Sequence, residues 1–154
     1  RAYNNLGVLY YEMKKFKDAE NIYGKVLELD PNYIETINNL GILYLAMNRN
    51  NDALRLLQSS KSLDPNRVDT LYYLGIAYMS KKDWDSAQTE FRIALSLNPD
   101  NAAIYDKLGI LFARKEKWEK ARKAFKSALK LSPSHQSART NLKRLENKIK
   151  TNRQ

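Results

Sequence analysis

Cysteine is absent and histidine occurs once. The first absence excludes disulfides, zinc ribbons, iron–sulfur centres and a thiol nucleophile. The second excludes multi-histidine metal sites and most histidine-dependent relays. Glycine and proline number five and four in 154 residues, too few for a turn-rich β fold or a collagen-like one. Long apolar runs are missing too: the longest spans Leu71–Met79, far short of a membrane crossing. No charged-then-apolar leader opens the chain, and no Asn-x-Ser/Thr acceptor occurs. Arg1 stands first, so the expectation is a piece of a longer chain. The lack of thiols fits a reducing cytosol, which makes the cytoplasm the expected compartment. What is present is 43% hydrophobic and 29% charged, enough to bury a core and remain in solution.

The few glycines and prolines carry the organisation. Gly7, Gly41, Gly75 and Gly109 are spaced by 34 residues, and so are Pro31, Pro65, Pro99 and Pro133. Other columns keep the same period. Leu6, Leu40, Leu74 and Leu108 precede the glycines; Tyr10, Tyr44, Tyr78 and Phe112 follow three later. Ala19, Ala53, Ala87 and Ala121 come twelve after, and Tyr23, Leu57, Phe91 and Phe125 sixteen after. Within one period, Leu71, Leu74, Gly75 and Tyr78 run i, i+3, i+4, i+7, one face of a helix. Ala87, Phe91, Ala94 and Leu95 mark a second amphipathic helix. The polar Lys81-Lys82-Asp83 between them is short, so the pair should pack antiparallel. Asn98-Pro99 should end the second helix, because proline disfavours helix in the residue before it. Mid-helix glycine costs about 1 kcal/mol relative to alanine, so four in register call for close helix approach. The bulky residue sixteen after each glycine is expected to fill the space between neighbouring units.

This spacing resembles the tetratricopeptide repeat, whose period is also 34. The third unit carries it as Leu71, Leu74-Gly75, Tyr78, Ala87, Phe91, Ala94 and Pro99; the fourth as Tyr105, Leu108-Gly109, Phe112, Ala121, Phe125, Ala128 and Pro133. Val26 and Ser60 depart from the last alanine, and Asn50 stands where other units have Phe16, Trp84 and Trp118. The resemblance implies an all-α fold, an α-solenoid wound as a right-handed superhelix of antiparallel helix pairs. The expected units are 1–33, 34–67, 68–101 and 102–135, followed by a capping helix over 136–150 and a tail over 151–154. Ala138, Leu142, Leu145 and Ile149 give that cap one apolar stripe. The first unit has no matching cap before it, so self-pairing through that end is an alternative role.

The resemblance also implies that first helices line a concave groove, at positions two, three and six before glycine and one, four and five after. Asn4-Asn5-Leu6-Gly7 recurs as Asn38-Asn39-Leu40-Gly41. Asparagine is a mediocre helix former whose amide both donates and accepts, which suits the backbone of an extended peptide. The alternative is hydrogen bonding between adjacent helices. In similar repeats the asparagine two before glycine holds ligand, here Asn5 and Asn39. Tyr11, Ile42, Tyr72, Ile76 and Met79 would add apolar contact, with Tyr73 assigned to packing between units rather than to the groove. Lys107 and Arg114 would favour acidic ligand residues. The chaperone-tail clamp known in the family is not expected: apart from Asn39, its positions hold Asn4, Val8, Asp69 and Tyr73.

Charge is uneven. Residues 1–101 carry net −1 and residues 102–154 net +11. Lys123, Lys126 and Lys130, with Lys143 and Arg144 on the cap and Arg153 beyond, form a basic end. A solvated face explains it better than binding to nucleic acid or an anionic lipid surface. No aromatic residue interleaves the basic cap, which argues against a single-strand stacking platform. His135 lies beside Pro133 and Ser134 with no oriented nucleophile pattern, and the glycines form no phosphate loop. The expectation is therefore a scaffold with no enzyme activity, no metal and no cofactor, binding another protein. A substrate-selecting array of a larger protein and a basic adaptor are the remaining alternatives.

Overall fold

The computed structural model describes residues 1–151. Arg153 and most of the expected tail fall in 152–154, outside the described residues. Among the described residues there are nine helices and no strand: α1 (Ala2–Glu12), α2 (Phe16–Leu29), α3 (Ile34–Ala46), α4 (Asn50–Leu63), α5 (Val68–Ser80), α6 (Trp84–Leu97), α7 (Ala102–Arg114), α8 (Trp118–Leu131) and α9 (Gln136–Thr151). The first eight pair into hairpins, and α9 packs on α7 and α8. The architecture is an all-α solenoid.

Both ends of each hairpin follow from local chemistry. Even helices stop at Asp30, Asp64, Asn98 and Ser132, residues directly ahead of the prolines with φ of −138 to −141°. Asp30 and Asp64 each accept an N–H two residues on, from Asn32 and Asn66 at 3.2 Å, which satisfies the turn. Odd helices stop at Lys14, Asn48, Lys82 and Glu116, all left-handed with φ of 56 to 61°. Around Lys14, the Lys15 N–H donates to the Tyr10 carbonyl and the Lys14 N–H to the Tyr11 carbonyl, both at 2.9 Å. The same two bonds recur at the other three ends, so a Schellman motif closes every odd helix of a hairpin.

Close approach within each hairpin is real. A Cβ at Gly75 would lie 2.3 Å from the Phe91 ring, and one at Gly7 2.3 Å from the Tyr23 ring. The bulky residue sixteen after each glycine thus packs first against its own unit. Phe91 also joins Ile104, Leu108 and Leu111 of the next unit in one cluster, so it spans both contacts. The core runs the length of the array as successive clusters, one per junction.

Curvature follows from which helices touch. Each odd helix contacts the next odd helix, from α1 to α9, whereas no two even helices make contact among the described residues. The odd layer is therefore the shorter one and lies on the inside of the bend. This places the odd helices along the concave face.

Candidate functional site

The concave face is held in register by a column of buried polar side chains three residues before Gly7, Gly41 and Gly109. Asn4 Oδ1 accepts from Thr36 Oγ1 at 2.9 Å and from Asn39 Nδ2 at 3.1 Å. Asn38 Oδ1 accepts from Thr70 Oγ1 at 3.0 Å, and the Thr70 and Ser60 hydroxyls share a further bond at 3.0 Å. Asp106 accepts from Ser137 Oγ at 2.7 Å and from Asn141 Nδ2 at 3.2 Å. At the remaining step the column changes to Tyr72, and the facing position in the next unit changes from threonine to Ile104. Donor and acceptor are lost together, so no buried polar group is orphaned there.

This column divides the asparagine pairs. Asn4 and Asn38 are buried and serve the junctions between odd helices. Asn39 is half-buried; it uses one N–H on Asn4 and keeps its second N–H and its carbonyl oxygen. Asn5 is exposed on α1.

Among the described residues, three clefts open between the odd helices. The first, of about 310 Å³, is lined by Asn39, Ile42, Glu35, Arg67, Asp69 and Tyr73, with Asn4 and Asn38 at its base. Arg67 reaches Glu35 at 3.5 Å, and its Nε has no acceptor among the described residues. The second, of about 460 Å³, brings Ile76, Met79, Lys107 and Arg114 together with Trp84 and Ile110. The third, of about 370 Å³, lies between α7, the start of α8 and α9; Arg114 and Ile110 belong to it as well.

Asn39, Ile42, Ile76, Met79, Lys107 and Arg114 therefore line clefts. Asn5 and Tyr11 lie outside them on α1, and Tyr11 stacks 5.9 Å from Phe16. Both tyrosines are half-buried at junctions. Tyr73 packs against the cluster that includes Leu57 of the preceding unit and also lines the first cleft. Tyr72 lies 6.2 Å from Phe91 and 5.1 Å from Tyr73 and packs against the cluster that includes Ile104 and Leu108 of the next unit. Burial pushes the Tyr72 hydroxyl up to about 12 and raises that of Tyr73, so both stay neutral.

The basic end also divides. Lys123, Lys126 and Lys130 are exposed on α8, and Lys143 is exposed on α9. Arg144 and Lys148, exposed as well, line the third cleft beside Arg114. α9 takes the place of an odd helix, which puts Arg144 on the groove side of the basic end. Trp84 and Trp118, which the sequence marks only as a column of the repeat, wall the second and third clefts. The signal lay in their position at the start of even helices, where the hairpin turns toward the concave side. No cluster of three or more metal-ligating side chains occurs among the described residues. No described helix is long and apolar enough to cross a membrane.

Family models described as tetratricopeptide repeat match residues 1–33, 22–55 and 72–136. No curated protein matches the chain by sequence. Among solved structures, a MamA protein is 27% identical, with a TM-score of 0.80 over 95% of this chain and 80% of its own. A thermophilic tetratricopeptide repeat protein from Thermus thermophilus is 21% identical, with a TM-score of 0.85 over 96% and 81%. The Cut9–Hcn1 hetero-tetramer structure matches at 21% identity and a TM-score of 0.87, over 93% of this chain and 29% of that one. At such identities the last two establish the fold alone.

Proposed function

The chain belongs to the tetratricopeptide repeat family, and on that premise we propose that it is a non-catalytic scaffold whose concave face holds a peptide or helical segment of a partner protein. Repeat arrays of this kind generally serve protein–protein interaction. The observation that carries the reading is the inner layer of odd helices with its run of clefts. Asn39 meets a ligand backbone with its spare donor and acceptor, and Asn5 does so at the open first unit. Ile42, Ile76 and Met79 supply apolar contact, with Tyr11 and Tyr72 adding bulk at the edges. Lys107 and Arg114 take acidic side chains. Replacing Asn5 and Asn39 by Ala together with Ile42→Arg should weaken partner retention about tenfold or more. Helicity by circular dichroism should not change; undiminished retention removes the groove assignment.

A second reading rests on α1. Tyr3 and Leu9 are 56% and 51% exposed, whereas Ile37 and Leu43, at the same positions one unit on, are 3% and 0% exposed. An unpartnered stacking face of this kind fits an assembly role through the first unit. Light scattering over a range of concentrations should then show association that Leu9→Glu abolishes. A monomer at all concentrations sinks that reading and leaves the groove untouched.

A further inference from the structure

The cleft at the α7–α9 junction differs in chemistry from the rest of the concave face. Its cations are Arg114, Arg144 and Lys148, its floor is Ile110, Ala113 and Leu145, its wall is Trp118, and no carboxylate lines it. The second cleft shares Ile110 and Arg114, adds Lys82 and Lys107, and has no carboxylate either. The first cleft, by contrast, contains Glu35 and Asp69. Polarity therefore changes along the face, from amide and acidic at α3–α5 to apolar and cationic at α7–α9.

The cations there are also unspent. Arg49, Arg55, Arg67 and Arg122 each pair with a carboxylate of the chain. Lys107, Arg114, Arg144 and Lys148 have no such pair among the described residues. Lys148 Nζ sits 4.7 Å from the Trp118 ring centroid, a cation–π contact that keeps the ammonium at the rim of the cleft. On α9, Asn141, Arg144, Leu145 and Lys148 fall at i, i+3, i+4 and i+7, so one stripe of that helix supplies polar, cationic and apolar lining together.

We infer that this cleft is the receptor for an acidic side chain flanked by an apolar one, on a partner segment that alternates the two. The inference rests on the groove reading and adds the partner's chemistry and the binding role of α9. Charge complementarity selects the occupant. Two guanidinium forks match carboxylate oxygens bidentately, and apolar lining beside them strengthens the pair relative to open water. Lys123, Lys126 and Lys130, on the exposed face of α8, lack any such lining and remain a solvated surface. A nucleic-acid strand needs a continuous basic track with open ring faces. Here the cations are separated by Ile110, Ala113 and Leu145, and Lys148 covers the tryptophan.

Selection of short random peptides on the immobilised full chain tests this. The wild type should enrich Asp or Glu next to Leu, Ile, Phe or Trp. Arg144→Glu with Lys148→Glu should weaken the enriched peptides by about tenfold or more, and raised salt should weaken wild-type binding. Both variants are on the surface, and an unchanged circular dichroism melt checks that α9 still docks. Peptides that depend on Ile42 and not on Arg144 would overturn the inference while leaving the groove reading in place. Peptides that depend on Arg144 and not on Ile42 support the receptor and remove the groove-long reading. Failure to enrich acidic sequences overturns it. So does a single-stranded oligonucleotide that binds through Arg144 and Lys148 in place of the peptides.

Discussion

Two glycines of this chain have opposite roles. Gly75 faces Phe91, which is fully buried and cannot swing away, so a methyl group at 2.3 Å has nowhere to go. Gly24 sits in α2 with nothing within 4 Å of a would-be Cβ. Gly75→Ala should therefore destabilise, because overpacking of about 1–3 kcal/mol outweighs a helix-propensity gain of at most ~1 kcal/mol. Gly24→Ala should stabilise by about 0.5–1 kcal/mol, since only the propensity gain operates. Urea melts of the two variants decide it: equal shifts would mean the glycine–ring contact is absent. Burial likewise separates the paired asparagines. Asn4 and Asn38 hold the inner layer together, and Asn39 is left partly free for a ligand.

The odd helices share an ending that their sequences do not advertise. Schellman ends favour glycine or asparagine in the left-handed position, because a Cβ crowds the carbonyl there. Only Asn48 meets that preference; Lys14, Lys82 and Glu116 do not. Lys14→Gly should stabilise the chain by about 0.5–1 kcal/mol in thermal or urea unfolding, while Asn48→Gly should be close to neutral. Similar gains at both sites would argue that the left-handed strain is not what matters. The glycine preference is overridden because the ring-on-glycine contact and the stacked junctions hold each turn in place from outside. The ninth helix is governed by the same packing. Ser137 and Asn141 give Asp106 its donors, and Ala138 and Leu145 cover Phe125.

Across the array, each hairpin depends on its neighbours for burial. At the far end, α9 seals the last core cluster with one face and lines the third cleft with another. Deleting residues 136–154 would uncover Ala121, Phe125 and Ala128, all of them buried. The truncated chain should associate or precipitate, and light scattering should report it. A soluble monomer with the original melting temperature would remove the sealing role of α9. At the near end, the exposed Tyr3 and Leu9 of α1 remain the place where a further surface would stack.

The period of 34 by itself determined the helices and their pairing, and the resemblance to the tetratricopeptide repeat implied the concave array. Glycine, alanine and proline report steric limits that hold wherever the chain goes: close approach, tight packing and helix termination. Groove-side positions followed from that resemblance, and Asn39, Ile42, Ile76 and Met79 line clefts. Which neighbours complete a site was not readable. Tyr72 and Tyr73 are adjacent in sequence, yet one packs toward the next unit and the other toward the preceding one, where it also meets a cleft. Arg144 reads as one more charge in a basic tail until α9 docks in the place of an odd helix and turns it toward Arg114. Those outcomes depend on contacts between residues about thirty positions apart, and they exist only once successive hairpins have stacked.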